Sequence, residues 1–358
     1  GAGKYNEFEL FLLGDMNLPP IHPKEIPRMK LGKYLAGDDM CHSRSSWEPD
    51  ATCVEMFTRA MDTHRYEPPV GGLYIARAGK ELIMRGNGRK GGIIAYWIAN
   101  IRIWPKKFPI GISEDGNTYW NSAHQVGPYA QEPKVARASF PYEVASNPSY
   151  WGPQPTEDHG TDAYHVFSVD SAELRIGQTT EDTHRHLQRL NVRKSKRTLV
   201  HLRPNENGRE FVIVYDRLDV ADDLAHCWQA RVLNRPESTA TTWYATNDDQ
   251  AISGTVVSPN MKVDIRGGAP KATEGPNGEV HGAIHGVFRD DGSDKGIFGE
   301  YAVYIKPDPI LPQQDYCVVL EVGDAGFVPA PATMTDKIVT VDGWKVDFSK
   351  EDQTQVSR

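Results

Sequence analysis

The sequence predicts an all-β fold: a large antiparallel multi-sheet β-sandwich behind a short N-terminal helical and linker segment. Three observations predict it. From about residue 35, short apolar runs recur between clusters of Gly, Pro, Asn and Asp, the punctuation of hairpins. Several runs alternate polar and apolar residues, as half-buried strands do. No helices intervene, and strands at this density favour stacked antiparallel sheets over α/β architectures.

The chain opens with its one helical stretch. Glu7 to Leu13 has helical composition and breaks at Asn17-Leu18-Pro19-Pro20, and a prolyl linker continues through His22, Pro23 and Pro27. Residues 1–34 therefore read as the end of an upstream helical region plus a Pro-rich linker. The start, Gly1-Ala2-Gly3-Lys4, lacks a methionine and an apolar leader, so a preceding segment is expected to have been removed.

Residues 35–349 are expected to form the β-sandwich. Strands are expected at 52–58, 72–78, 81–85, 92–103, 163–169, 172–177, 186–194, 197–203, 210–218 and 225–235. Others are expected at 250–257, 261–266, 280–288, 298–306, 315–322 and 343–348. Thr198 to Arg203 mostly alternates, whereas Phe211-Val212-Ile213-Val214-Tyr215 is apolar throughout and predicts a strand covered on both faces. Apart from 280–288, the segment 266–297 reads as loops. Residues 350–358 read as a polar, frayed tail.

Composition narrows the function classes. Apolar content of 39% with 25% charged residues belongs to an ordinary globular chain. A net charge of −8 disfavours general nucleic-acid binding, which needs a basic field. No apolar run is long enough for a membrane span. Cys41, Cys53, Cys227 and Cys317 form no CxxC pair, which argues against a thiolate zinc site. Cys227 and Cys317 read as buried thiols, while Cys41 and Cys53 are near enough in sequence that a disulfide stays open.

Four segments, taken in order, carry a resemblance. They are Arg44-Ser45-Ser46-Trp47-Glu48-Pro49-Asp50-Ala51 after the Leu18-Pro19-Pro20 linker, Gly71 to Glu81, Trp120-Asn121-Ser122-Ala123-His124-Gln125 with Gln131 beyond, and Arg197 to Pro204 followed by Val212 to Arg217. Together they resemble the C-terminal sheet region of the heparinase II/III-like polysaccharide lyases. The likeness runs from about residue 18 to 325, and the arginine–strand–proline, tyrosine-aspartate-arginine pattern is its most specific element.

The resemblance implies a secreted, extracellular or periplasmic protein. It also implies an acidic, uronate-containing polysaccharide as partner, and an N-terminal α/α toroid from the same precursor. The implied reaction is β-elimination. It needs neutralisation of the uronate carboxylate, a base for the C5 proton and an acid for the leaving oxygen. The candidate catalytic residues are His64, Tyr66 and His124. The candidate substrate-binding residues are Arg65, Arg85, Trp120, Asn121 and Gln131.

The family's histidine and aspartate metal ligands fall here on Arg65, Glu67, Pro69 and Arg85, leaving His124 as the one ligand type. Arginine cannot ligate a metal, so no cofactor is expected at that place, and Glu67 and Arg85 are expected to form an ion pair instead. This erosion keeps an alternative open: a non-catalytic extracellular glycan-binding or assembly module, with homo-oligomerisation through exposed strand edges.

Two further features have double readings. His184, Arg185, His186, Arg189, Arg193, Lys194, Lys196 and Arg197 form a basic run. It suits an anionic glycan, or, more commonly, the charged outer faces of solvated strands. The aromatic residues around His124, Tyr119, Trp120 and Tyr129 among them, suit stacking on sugar faces or simple packing.

Overall fold

The computed structural model describes residues 22–26, 29–35, 40–58, 71–84, 100–105, 155–172, 176–178, 187–189, 191–267 and 301–358. Among them the one helical element is a 3-10 turn, Pro23–Glu25, and all strand pairs are antiparallel. No helix among the described residues is long and apolar enough to cross a membrane. The all-β expectation holds.

The first sheet is a meander of β1 (Gly32–Leu35), β2 (Met40–Arg44), β3 (Thr52–Phe57), β4 (Leu73–Arg77) and β5 (Lys80–Ile83). A second sheet joins β6 (Asn100–Pro105) to β13 (Leu224–Val232), β18 (Tyr301–Pro307) and β17 (Met261–Gly267). The third sheet has eight strands. It contains β7 (Glu157–Gly160), β8 (Tyr164–Asp170), β11 (Val192–Leu202), β12 (Glu210–Val220), β14 (Glu237–Ser238), β15 (Thr242–Asn247), β16 (Gln250–Val256) and β19 (Gln313–Asp324), in the order β14-β15-β16-β19-β12-β11-β8-β7. β9 (Ile176–Gln178) and β10 (Leu187–Arg189) form a separate ribbon. The chain ends in a sheet of β20 (Ala332–Thr335), β21 (Ile338–Val341), β22 (Trp344–Asp347) and β23 (Gln355–Ser357).

The eight-stranded sheet is covered on both faces, which explains the unbroken apolar run Phe211–Tyr215 of β12. Val212 and Val214 point into a core shared with Val54, Met56, Leu73 and Ile75 of the first sheet and Ile103, Trp228, Val303 and Ile305 of the second. Phe211, Ile213 and Tyr215 point the other way, against Val339, Val341, Trp344, Val346 and Phe348 of the C-terminal sheet. The Tyr215 and Phe348 rings stack at 4.3 Å between centroids. Burying each large side chain of this kind contributes about 1.5–3 kcal/mol, so both covers are held chiefly by apolar area.

Two expectations are corrected, and the open question of a Cys41–Cys53 disulfide is closed. The tail is not frayed, because Gln355–Ser357 pairs with β22 and the buried Thr354 donates its backbone N–H to Glu157 Oε1 at 2.6 Å. The expected strand at 186–194 is divided between β10 and the first residues of β11, and the expected strand at 197–203 continues the same β11, which carries a bulge between Val192 and Lys194. Cys41 and Cys53 are free thiols. Cys41 stands opposite Met56 and Cys53 opposite Arg44, so the two side chains project from opposite faces of one sheet and cannot bridge. The expected helix at 7–13 and strand at 280–288 lie outside the described residues.

Candidate functional site

The predicted site residues His64, Arg65 and Tyr66 belong to the connection between β3 and β4, Arg85 to that between β5 and β6, and Trp120, Asn121, His124 and Gln131 to that between β6 and β7. All eight lie outside the described residues, as do Glu67 and the Glu67–Arg85 pairing. The structure does describe the strands these connections leave and rejoin.

The β3–β4 connection has a closed neck. Gly71 N–H donates to the Phe57 carbonyl at 2.7 Å, and Phe57 N–H donates to the Gly72 carbonyl at 3.0 Å. Arg197 on β11 locks this neck to the central sheet. Its Nε donates to Asp216 Oδ1 at 2.6 Å and its Nη2 to Asp216 Oδ2 at 2.8 Å, while Nη1 donates to the Gly71 carbonyl. Arg197 and Asp216 face each other across β11 and β12, and both are buried. A bidentate arginine–carboxylate pair satisfies both partners, and that satisfaction makes burial of two charges tolerable.

The polar layer continues sideways. Tyr316 on β19 is the cross-strand partner of Asp216, and its hydroxyl lies 2.6 Å from His226 Nδ1 on β13. His226 pairs in register with Ile103 on β6. Burial pushes the Tyr316 hydroxyl well above its ordinary range, and the Cys227 and Asp216 charges add to this, so it stays protonated. At the end of β5, Met84 N–H donates to the Arg231 carbonyl of β13. The strands that bracket all three site-bearing connections are thus tied into one framework.

A second buried network lies on the inner face of the first sheet. Ser43 Oγ is 2.8 Å from His201 Nδ1, and His201 Nε2 is 2.7 Å from Glu210 Oε1. Thr52 donates to Glu210 Oε2 at 2.6 Å, and Arg77 Nη1 approaches the same oxygen at 3.5 Å. With Glu210 ionised, Nε2–H donates to it and Nδ1 accepts from the Ser43 hydroxyl. The order of groups is that of a serine–histidine–carboxylate array, but Ser43, His201 and Glu210 are each 0% exposed. No substrate reaches Ser43, and the network joins β2 and β3 to β11 and β12.

The basic run is also absorbed by the fold. Arg193 pairs with Asp219, Lys194 with Glu351, Lys196 with Asp352 and Glu157, and Arg197 with Asp216. Lys196 and Arg197 are buried rather than solvated, so both sequence readings are corrected for these two, whereas Arg193 and Lys194 keep the solvent-facing position of a charged strand face. Their charges are matched internally. His184, Arg185 and His186 lie outside the described residues.

The Arg44–Ala51 motif forms the β2–β3 turn. Arg44 Nε donates to the Ser46 carbonyl at 3.1 Å, and its guanidinium sits 5.8 Å from the Trp47 ring centroid. Ser45 Oγ accepts from Thr52 N–H at 2.9 Å. The outer face of the same sheet carries His42, Cys53, Glu55, Tyr74 and Glu81, a polar set that sequence reading did not single out. Tyr74 is raised above its ordinary value by burial and by the Glu81 and Cys53 charges, and Glu81 is raised by burial against the hydrogen bond from Tyr74.

No family model and no curated protein matches the chain by sequence. Solved structures do match. A heparinase III gene product aligns over 100% of this chain and 46% of its own, at 9% identity and a TM-score of 0.50. Heparan sulfate lyase HepC from Pedobacter heparinus aligns over 99% of this chain and 45% of its own, at 12% identity and a TM-score of 0.48. The fold is heparinase-like. The chain spans under half the length of these heparinase structures.

Proposed function

We propose that the chain is the β-sheet portion of a polysaccharide lyase that cleaves acidic, uronate-containing polysaccharide by β-elimination. The observation that carries this reading is the Arg197–Asp216–Gly71 clamp. The most specific sequence motif of the resemblance turns out to hold the neck of the very connection that carries His64 and Tyr66. A framework that fixes a loop's two ends favours a positioned site on it, because catalytic groups gain from pre-organisation.

In this reading a base, His64 or His124, removes the C5 proton and an acid protonates the glycosidic oxygen at C4. The C4–O bond breaks as the C4–C5 double bond forms. Arg65 and Arg85 meet the uronate carboxylate and lower the cost of the developing charge at C5. An N-terminal toroid in the same precursor supplies the facing wall. The protein acts outside the cytoplasm, where such polysaccharides occur. The family-type metal is dispensed with, since arginine stands at two of its ligand positions.

The test is to incubate the full natural protein with a panel of uronate polysaccharides and follow the ultraviolet absorbance of the unsaturated uronate. Growth of that absorbance on one substrate, and its loss in His64→Ala or His124→Ala, supports the reading. Tight binding of a polysaccharide with no product identifies the second reading, a non-catalytic glycan-binding module, which the arginines at 65 and 85 favour.

A further inference from the structure

The outer face of the first sheet brings three different metal-ligating groups to one point. His42 on β2 stands directly opposite Glu55 on β3, and Cys53 lies two residues before Glu55, on the same face. The strand period therefore aims all three side chains in one direction. His42 Nδ1 is 3.6 Å from Glu55 Oε1 and 3.8 Å from Cys53 Sγ, and Cys53 Sγ is 3.9 Å from the same Glu55 Oε1.

The same three atoms recur in every contact, so they form a nearly equilateral triangle. A point equidistant from its corners lies about 2.2 Å from each, inside the range of about 2.0–2.3 Å for zinc bonds to nitrogen, oxygen and sulfur. Contraction of the triangle by a few tenths of an ångström gives three corners of a tetrahedron, with the fourth open. His42 and Cys53 are partly exposed while Glu55 is almost buried, so the open corner is reachable from solvent.

We propose that His42, Cys53 and Glu55 form a divalent-metal site of the zinc class, with solvent or a ligand in the fourth position. One thiolate, one imidazole and one carboxylate is a borderline-soft donor set. It selects zinc over calcium or magnesium, which need six or more oxygen ligands or a hydrated octahedron. Its three ligands are other residues than Arg65, Glu67 and Arg85, the positions at which the resemblance places the family's ligands. It does not depend on the chain being a lyase.

The experiment is titration of the full chain with Co²⁺ as a spectroscopic substitute for zinc, followed by back-titration with Zn²⁺. The expected result is one equivalent bound per chain, with a thiolate-to-cobalt charge-transfer band in the near ultraviolet that zinc abolishes. Cys53→Ser removes the band, and Cys41→Ser, on the opposite face, leaves it. His42→Ala and Glu55→Gln each weaken cobalt binding by at least about tenfold, the scale on which lost ligand interactions act. Alkylation of Cys53 in the folded wild-type protein removes the band as well, which keeps the test decisive if Cys53→Ser fails to fold. Absence of the band at saturating cobalt, or its survival in Cys53→Ser or in the alkylated protein, overturns the proposal.

Discussion

Arg197 and Asp216 face each other across the β11–β12 hairpin and share two parallel hydrogen bonds of 2.6 and 2.8 Å in a buried layer. The third arm of the guanidinium reaches across the core to the Gly71 carbonyl. One residue thus links hairpin register, sheet packing and the neck of the β3–β4 connection. Arg197→Ala leaves the Asp216 carboxylate buried without its partner. Urea denaturation is expected to show a loss of about 3–5 kcal/mol, and the double variant Arg197→Met, Asp216→Leu is expected to recover most of it. A loss below about 1 kcal/mol for Arg197→Ala would count against the clamp.

The Ser43–His201–Glu210 network is predicted to be structural. Thr52→Val removes one of the donors to Glu210. It is expected to cost about 1–3 kcal/mol of stability through the under-satisfied buried acceptor. A serine-directed reagent such as a fluorophosphonate is expected not to label Ser43 in the folded protein. Labelling that disappears in Ser43→Ala would show that the array is open to substrate.

Trp243 on β15 lies directly across from Gly254 on β16. A side chain at Gly254 would collide with the Trp243 indole. Gly254→Ala is therefore expected to destabilise by about 1–3 kcal/mol, or more, by overpacking. Adding Trp243→Leu is expected to relieve some of it. Equal melting temperatures for Gly254→Ala and wild type would contradict this packing.

Acid sensitivity is expected at His165 and Asp158. Burial holds His165 below its ordinary value of 6.5, against the hydrogen bond and charge of Asp158, with Arg203 and His201 pushing the same way as burial. Asp158 is raised by burial, but this is outweighed by the hydrogen bonds from His165 and from Tyr34 N–H and by the His165 and His159 charges. Its net value falls below 3.8. For both groups the unfolded chain binds protons more readily than the folded one. Stability therefore falls as pH drops from 6.5 through the folded histidine value, and again below 3.8. Denaturation midpoints of wild type and His165→Gln are expected to converge on acidification through the first window; parallel curves would refute the assignment.

None of the four cysteines is in a disulfide, and Cys53 alone among them is not buried. A thiol reagent on the native protein is expected to modify one site quickly, Cys53, and the other three only on unfolding. Burial pushes the Cys41 and Cys317 thiols well above their ordinary range, with nearby carboxylates, Asp158 for the first and Asp216 and Asp315 for the second, adding to it. This slows them further, because the thiolate is the nucleophile. A disulfide-linked peptide containing Cys41 and Cys53 would contradict the fold of the first sheet.

Long, apolar or alternating strands were legible in the sequence because side-chain period reflects burial directly. β12 is the clearest case: its unbroken apolar run reports two covering layers. β2 (Met-Cys-His-Ser-Arg) and β7 (Glu-Asp-His-Gly) were not legible, because they carry few apolar side chains and the polar ones they bury, Ser43 and Glu157, are held by hydrogen bonds that no local pattern announces. The Arg197–Asp216 pair was visible as a motif but not as a contact. Counting equal steps outward from a turn centred between Glu206 and Asn207 would have placed the two opposite each other. The His42–Cys53–Glu55 cluster needed the β2–β3 register, which the sequence alone does not provide.

The most direct test of the proposed chemistry is to digest a uronate polysaccharide in heavy-oxygen water and weigh the fragments. β-Elimination predicts fragments free of the heavy isotope at the new reducing end, each with an unsaturated uronate at its non-reducing end. Incorporation of one heavy oxygen per cleavage would mean hydrolysis and would contradict the lyase reading.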